Sequence, residues 1–448
     1  MVFSSSVFLF LFLPVVLLGY YVLFRKSRRW QNIFLTVASL GFYAWGEPVF
    51  VLAMLGSIIG NWLLGLLLEK SGDKARKAIV ATSVALNIGM LFVFKYLSFF
   101  VNAIAGSEIL NIALPIGISF FTFQAMSYVL DIWRGRGQAQ KNPLDVALYI
   151  SFFPQLIAGP IVRYETVAEQ IRGRMETLQD CMDGAERFML GFAKKTLMAN
   201  NLAPLAAAAF DSGTPTVAMA WIGAIAYTLQ IYYDFSGYSD MAIGLGKMFG
   251  FHFLENFSHP YASRSVSEFW RRWHMSLGQW FRDYVYFPLG GSRVSKGRLL
   301  LNLFIVWFLT GAWHGANWTF FVWGLAHFAL IATEKMTGFH KKAGWLGSVY
   351  TLLFIIFAWV LFRSSDLPSA FSYIAAMLGL SQSGLASAAD LFWLQNSAFF
   401  LIAGALFAFP LAKKLPRGIF AAGLAVSYIL ALSYMFKGSY NPFIYFNF

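Results

Sequence analysis

A single cysteine, Cys181, stands in 448 residues, so the chain can form neither an intrachain disulfide nor a multi-cysteine metal site. Charge is just as scarce: Asp, Glu, Lys and Arg make up 12% of the residues, against about a quarter in soluble globular proteins. There is no Gly-x-Ser-x-Gly run, which removes the nucleophile elbow of the serine hydrolases. Nor is there a tandem repeat, a low-complexity tract or a linker that would set off a soluble domain. One membrane domain over residues 1–448, with 437–448 as an external carboxy-terminal tail, is the simplest organisation.

What the chain has instead is apolar length. Hydrophobic residues make up 58%, with 48 Phe and a mean hydropathy of +0.60. A membrane-spanning helix needs roughly 20 mostly apolar residues, so the prediction is an all-α, polytopic membrane protein of about 11 to 13 transmembrane or re-entrant helices. Net charge of +13 invites a nucleic-acid reading, but membrane proteins collect Lys and Arg in cytoplasmic loops. The distribution here is topological, so no nucleic-acid partner is expected.

Val7 to Phe24 reads as the first span, with its basic flank, Arg25 to Arg29, behind it. A cleaved signal peptide carries that flank in front, so the amino terminus is expected outside. Spans follow at Trp30 to Trp45, Val49 to Leu68, Ala78 to Phe100 and Ile109 to Trp133, with basic loops on one side. Asn142 to Val162, broken by Pro143, Pro154, Gly159 and Pro160, reads as re-entrant, because broken backbone at membrane depth must be buried in protein or line a cavity. A short span ends near Phe210, and Asp211 to Thr216 is the external turn. Val217 to Gly246, Leu299 to Trp313, Trp318 to Thr333 and Gly347 to Phe362 are further spans. An external loop runs from Arg363 to about Gln395, then Ser397 to Phe409 and Ile419 to Phe436 place the tail outside.

Three stretches carry chemistry. Gly311 to Ala316 reads GAWHGA, with His314 at the end of an apolar span. An ionisable residue at membrane depth is a functional candidate by default, the alternative being an interfacial histidine satisfied by a backbone carbonyl. Gly311 and Gly315 suit close approach of a substrate, and Trp313 can form an amphipathic wall. Tyr232 to Gly246, YYDFSGYSDMAIGLG, places Asp234, Ser236, Tyr238, Ser239 and Asp240 in an apolar span. Asp234 and Asp240, six apart, do not share a helix face unless the backbone breaks at Ser236 and Gly237. These polar groups either support a pocket or hold helices together. Ser267 to Leu289, SEFWRRWHMSLGQWFRDYVYFPL, is an aromatic and basic interfacial segment. In it His274 can exchange a proton, and Arg271 or Arg272 can meet a phosphate-bearing donor or simply lie among lipid headgroups.

These runs, with PIGISFF at Pro115 and FFPQLIAGPIVR at Phe152, resemble the membrane-bound O-acyltransferases, nearest the alginate and peptidoglycan O-acetyltransferase membrane subunits. The resemblance covers nearly the whole chain. It implies helices around a central catalytic funnel, the essential histidine at His314 and a second polar position at His274. It also implies an acyl thioester such as acetyl-CoA as donor from the cytoplasm, with no tightly bound cofactor or metal. A polysaccharide acceptor, a secreted or periplasmic esterase-like partner and a bacterial inner-membrane location complete the expectation. The terminal FIYF run looks like a tyrosine-bearing acyl-transfer motif, making Tyr445 a candidate acyl acceptor, although an aromatic anchor explains the same residues. A transporter or flippase is the competing class, for which Asp234, Asp240, Lys95 and a broken segment would also serve.

Overall fold

The computed structural model describes residues 1–410, 416–438 and 444. Among these residues the secondary structure is helical, without strands. Among the described residues five helices are long and apolar enough to cross a membrane: Val51–Lys70, Asp73–Ala105, Trp345–Arg363, Ala388–Ala408 and Arg417–Phe436. Large apolar side chains such as Ile402, Val426 and Ile429 stand exposed on them, which lipid contact accommodates and water does not. The chain divides into two compact units, residues 1–192 with 238–254, and residues 193–237 with 255–448.

In the first unit the longer helices are α1 (Phe8–Leu23), α2 (Arg28–Ala44), α3 (Val51–Lys70), α4 (Asp73–Ala105), α5 (Ile118–Trp133), α6 (Pro143–Ser151) and α7 (Leu178–Ala193). Phe3, Phe8, Phe42 and Phe153 form its aromatic core, with ring centroids about 5 to 6 Å apart, each such pair contributing roughly 0.5–1.5 kcal/mol beyond area. Between α3 and α4 the buried amides of Asn61 and Asn87 bond each other and Ser83. Such side-chain bonds hold helices together where apolar surface alone gives no preference over lipid.

The expected break after Asn142 is present. Helix α6 ends at Phe152, whose ψ of 113° leaves the helical region. The freed groups are satisfied inside the protein: the Phe153 amide donates to Ser39 Oγ at 3.1 Å, and the Tyr149 hydroxyl donates to the Val162 carbonyl at 2.8 Å. Helix α5, by contrast, starts nine residues later than expected. Pro115 and Gly117 hold the preceding chain out of helix, Gly117 at φ 76° and so close to the Leu156 carbonyl that a Cβ would stand 2.9 Å from it.

The second unit contains α8 (Asn200–Phe210), the short α10 (Val266–Phe269) and α11 (Met275–Phe281), α12 (Lys296–His314), α13 (Trp318–Thr337), α14 (Trp345–Arg363), α15 (Leu367–Met377), α16 (Ala388–Ala408) and α17 (Arg417–Phe436). Helix α9, Val217–Met248, is unbroken and supplies residues to each unit, so the backbone break considered at Ser236 and Gly237 does not occur. The loop after Arg363, expected outside, contains α15, which starts at Leu367 with Asp366 accepting from the Ser369 amide, and Tyr373 stacks on Phe210 at 4.1 Å. Helix α16 begins nine residues earlier than expected because Ser387 and Asp390 form a reciprocal cap; hydropathy skips that polar first turn.

Candidate functional site

His274 lies outside the apolar spans, at a turn fixed from both sides. Upstream, Ser265 Oγ accepts from the Glu268 amide at 3.0 Å. The buried Glu334 carboxylate takes the amides of Val266 and Ser267 at 2.6 and 2.9 Å, together with the Tyr350 hydroxyl at 2.9 Å. Those are the donors a helix start leaves without intrahelical partners, and an anion suits that end. Downstream, Asn256 clamps the turn: its carbonyl accepts from the Met275 amide at 3.0 Å, and its side-chain oxygen from the Ser276 amide at 3.2 Å and hydroxyl at 2.9 Å. The clamp holds His274 at φ 43°, ψ 52°, a left-handed conformation costing on the order of 1–3 kcal/mol for a non-glycine residue.

The same oxygen sets the tautomer. An amide N–H can only donate, so the Asn256 atom facing the Ser276 amide is the carbonyl oxygen, and His274 Nδ1, 3.2 Å from it, must carry the proton. Nε2 is then the basic nitrogen. Burial pushes the imidazole down to about 3, so it stays neutral through the physiological range.

His314 is the last residue of α12, 2% exposed. Its ring packs on Trp313 (4.9 Å between centroids), Trp323 (5.0 Å) and Phe362 (5.0 Å). Trp313 also meets the His274 ring at 5.8 Å, so one indole touches both imidazoles. Far from walling a membrane boundary, Trp313 is buried between the two histidines. Gly311 and Gly315 also differ from expectation. A Cβ on Gly311 would lie 2.6 Å from the Phe320 carbonyl oxygen, and one on Gly315 would lie 2.5 Å from the Phe320 ring. The space they leave admits α13 rather than a substrate.

A third histidine, His327, is buried as well and belongs to none of the three motif stretches. His327 on α13 bonds through Nδ1 to the Trp323 carbonyl at 2.8 Å and stacks on Trp307 at 5.2 Å. The membrane-depth rule applied to His314 would have found it too. Asn256 and Glu334 had no such signal, since their roles come from chain segments far from His274 in sequence.

Beside this tier lies a cavity of about 470 Å³. Trp270, Trp307, Leu303 and Ile331 wall it, and Arg271, Arg282 and Lys335 bring cationic groups to it. The expected arginine pair separates here. Arg272 is ion-paired with Glu268 at 2.6 Å, whereas Arg271 lines the cavity. Trp270 packs on Trp323 at 5.5 Å, and Trp323 on His314, so a wall of the cavity is two rings from that histidine.

The polar run of α9 also separates. Asp234 pairs with Lys195 at 2.5 Å in the second unit, where Ser236 is also buried; in the first unit Asp240 pairs with Arg187 at 2.6 Å and Tyr238 stacks on Phe3 at 4.6 Å. The two carboxylates therefore form no acid pair. Tyr445 lies outside the described residues.

The family model for membrane-bound O-acyltransferases matches residues 138–365, a stretch that includes both His274 and His314. The chain is 44% identical over 393 residues to a protein of Pseudomonas aeruginosa named "Probable alginate O-acetylase AlgI", covering 84% of this chain and 75% of that one. It is 35% identical to the peptidoglycan O-acetyltransferase of Helicobacter pylori, covering 85% and 80% respectively. Against the teichoic acid D-alanyltransferase of Bacillus subtilis it is 28% identical, covering 80% and 97%.

Proposed function

Since the chain belongs to the membrane-bound O-acyltransferase family, we propose that it moves acetyl groups from a cytoplasmic thioester, acetyl-CoA, toward hydroxyls of an envelope or exported polysaccharide of the alginate or peptidoglycan type. Family membership makes the chain an acyltransferase rather than a transporter. The observation that carries the finer reading is the Trp313 indole against both the His274 and His314 rings, in a buried aromatic setting.

His314 takes the proton from the acceptor hydroxyl as its oxygen attacks the thioester carbonyl; the tetrahedral oxyanion collapses, the new ester keeps the acetyl group, and the thiolate leaves to be protonated. An imidazole can take up a proton and return it, which that exchange requires. His274, neutral with its basic Nε2 set by Asn256, orients or shares the proton. The closed aromatic surround excludes the water that would hydrolyse the donor. Arg271, with Arg282 and Lys335, receives the donor's phosphates at the cavity, and Asp234 and Ser236 support the pocket through α9. The acetyl group passes to the polymer through a secreted, esterase-like partner by way of Tyr445, whose phenol His314 deprotonates. The protein occupies a bacterial inner membrane with both termini outside.

His314→Ala removes the proton acceptor without adding charge to a helix. Polymer acetylation is expected to fall by roughly 10²- to 10⁴-fold while the amount of protein in the membrane stays near wild type. Wild-type acetylation by that variant would overturn the assignment.

A further inference from the structure

Helix α17 ends at Phe436, yet Ile444 is 8% exposed, back among the buried residues. Its backbone amide donates to Asp234 Oδ2 at 2.8 Å. The other oxygen of that carboxylate receives the Lys195 ammonium at 2.5 Å, with the lysine and aspartate side chains 4% and 1% exposed. Asp234 therefore divides its two oxygens between a fixed cation and the carboxy-terminal segment. Lys195 is its compensating partner, since a charged group this deep in the protein is costly unless it is paired. The chain on which Lys195 sits, Lys194–Ala199, packs against α17 itself. One residue beyond Asp234 on the same helix, the Phe235 ring meets His274 edge-on at 4.6 Å.

We propose that Asp234, paired with Lys195, is a dock for the chain at Ile444: it takes the Ile444 amide and ties that residue to the turn of α9 that backs His274. Recognition is through the main chain, so it depends on the carboxylate rather than on the identity of the side chain at 444. Asp234 is a positioning residue. The dock stands independently of the acyl-transfer reading, and its test reads accessibility instead of turnover.

The reporter is the full chain with Cys181→Ser and Ile444→Cys, leaving one thiol, alkylated with a maleimide in detergent-solubilised protein. The thiol is expected to react at least ten-fold more slowly than in SDS-unfolded chain. Asp234→Asn, which keeps the shape and discards the charge, is expected to speed alkylation several-fold. Lys195→Met with Asp234→Leu replaces the pair by apolar groups, an exchange that buried ion pairs commonly tolerate in stability. That double variant is expected to fold and to lose most of the protection at 444. A second reporter, Ala376→Cys, at a fully buried position of the same unit, is expected to stay protected throughout. Equal alkylation at 444 with and without the charge pair overturns the dock. So does simultaneous opening of both reporters, which would make the pair a general clasp of the unit.

Discussion

Asn256 decides which nitrogen of His274 is basic, and burial decides that the ring is neutral. The folded imidazole protonates near 3, the unfolded one near its ordinary value of about 6.5. Between those values the unfolded chain binds the extra proton, so stability falls as pH drops from about 6.5 toward 3 and is independent of this group above about 6.5. His274→Gln removes that dependence. Thermal unfolding in detergent at pH 7 and pH 5 is expected to show a larger loss at pH 5 for the wild type than for the variant; equal losses would mean that His274 is not buried neutral. His314 and His274 were legible as candidates because each combines a titratable ring with an apolar or aromatic run. The residues that fix the turn of His274 were not. Asn256 stands 18 positions before His274 and Glu334 stands 68 after Val266, and nothing local distinguishes a buried acceptor from an exposed one.

At the scale of elements, the pair α12 and α13 sets the site, because it closes over two glycines. A Cβ on Gly324 would lie 2.6 Å from the Trp307 carbonyl oxygen, as one on Gly311 would from that of Phe320. Gly324→Val is therefore expected to force the helices apart, at a cost of about 1–3 kcal/mol for overpacking, or more if the backbone cannot shift. Gly60→Val, on an open face of α3 with nothing within 4 Å, is the comparison. A lower unfolding temperature in detergent for the first variant and not the second is the expected result, and equal effects would remove the packing argument. Apolar periodicity placed these helices within a few residues, since a membrane span is written in consecutive residues. It failed at α5 and α16. In one case a positive-φ glycine held the chain out of helix; in the other a polar cap drew a helix start beyond the apolar run.

For the molecule as a whole, the proposed reaction has to carry an acetyl group from a cytoplasmic donor to an external acceptor. The carrier proposed on the chain itself is Tyr445. Tyr445→Phe keeps an aromatic ring and removes only the hydroxyl, so an anchor survives the change and a carrier does not. Acetylation of the exported polymer is expected to fall to the level of His314→Ala, with the amount of protein in the membrane unchanged. If the variant acetylates at the wild-type rate, the group crosses without resting on that phenol.

The Glu334 carboxylate that caps Val266 also orders events in time. A ribosome adding about 5–20 residues per second reaches Glu334 roughly 3 to 14 s after Val266, the two being 68 positions apart. Through that interval the turn carrying His274 lacks its fixing anion, and the α13 rings that pack on His314 are added only toward its end. Each histidine thus owes part of its surroundings to this later helix: the turn of His274 its Glu334 cap, His314 the Phe320 and Trp323 rings. A chain ending before α13 would carry both imidazoles without the Glu334 cap and without the Phe320 and Trp323 rings.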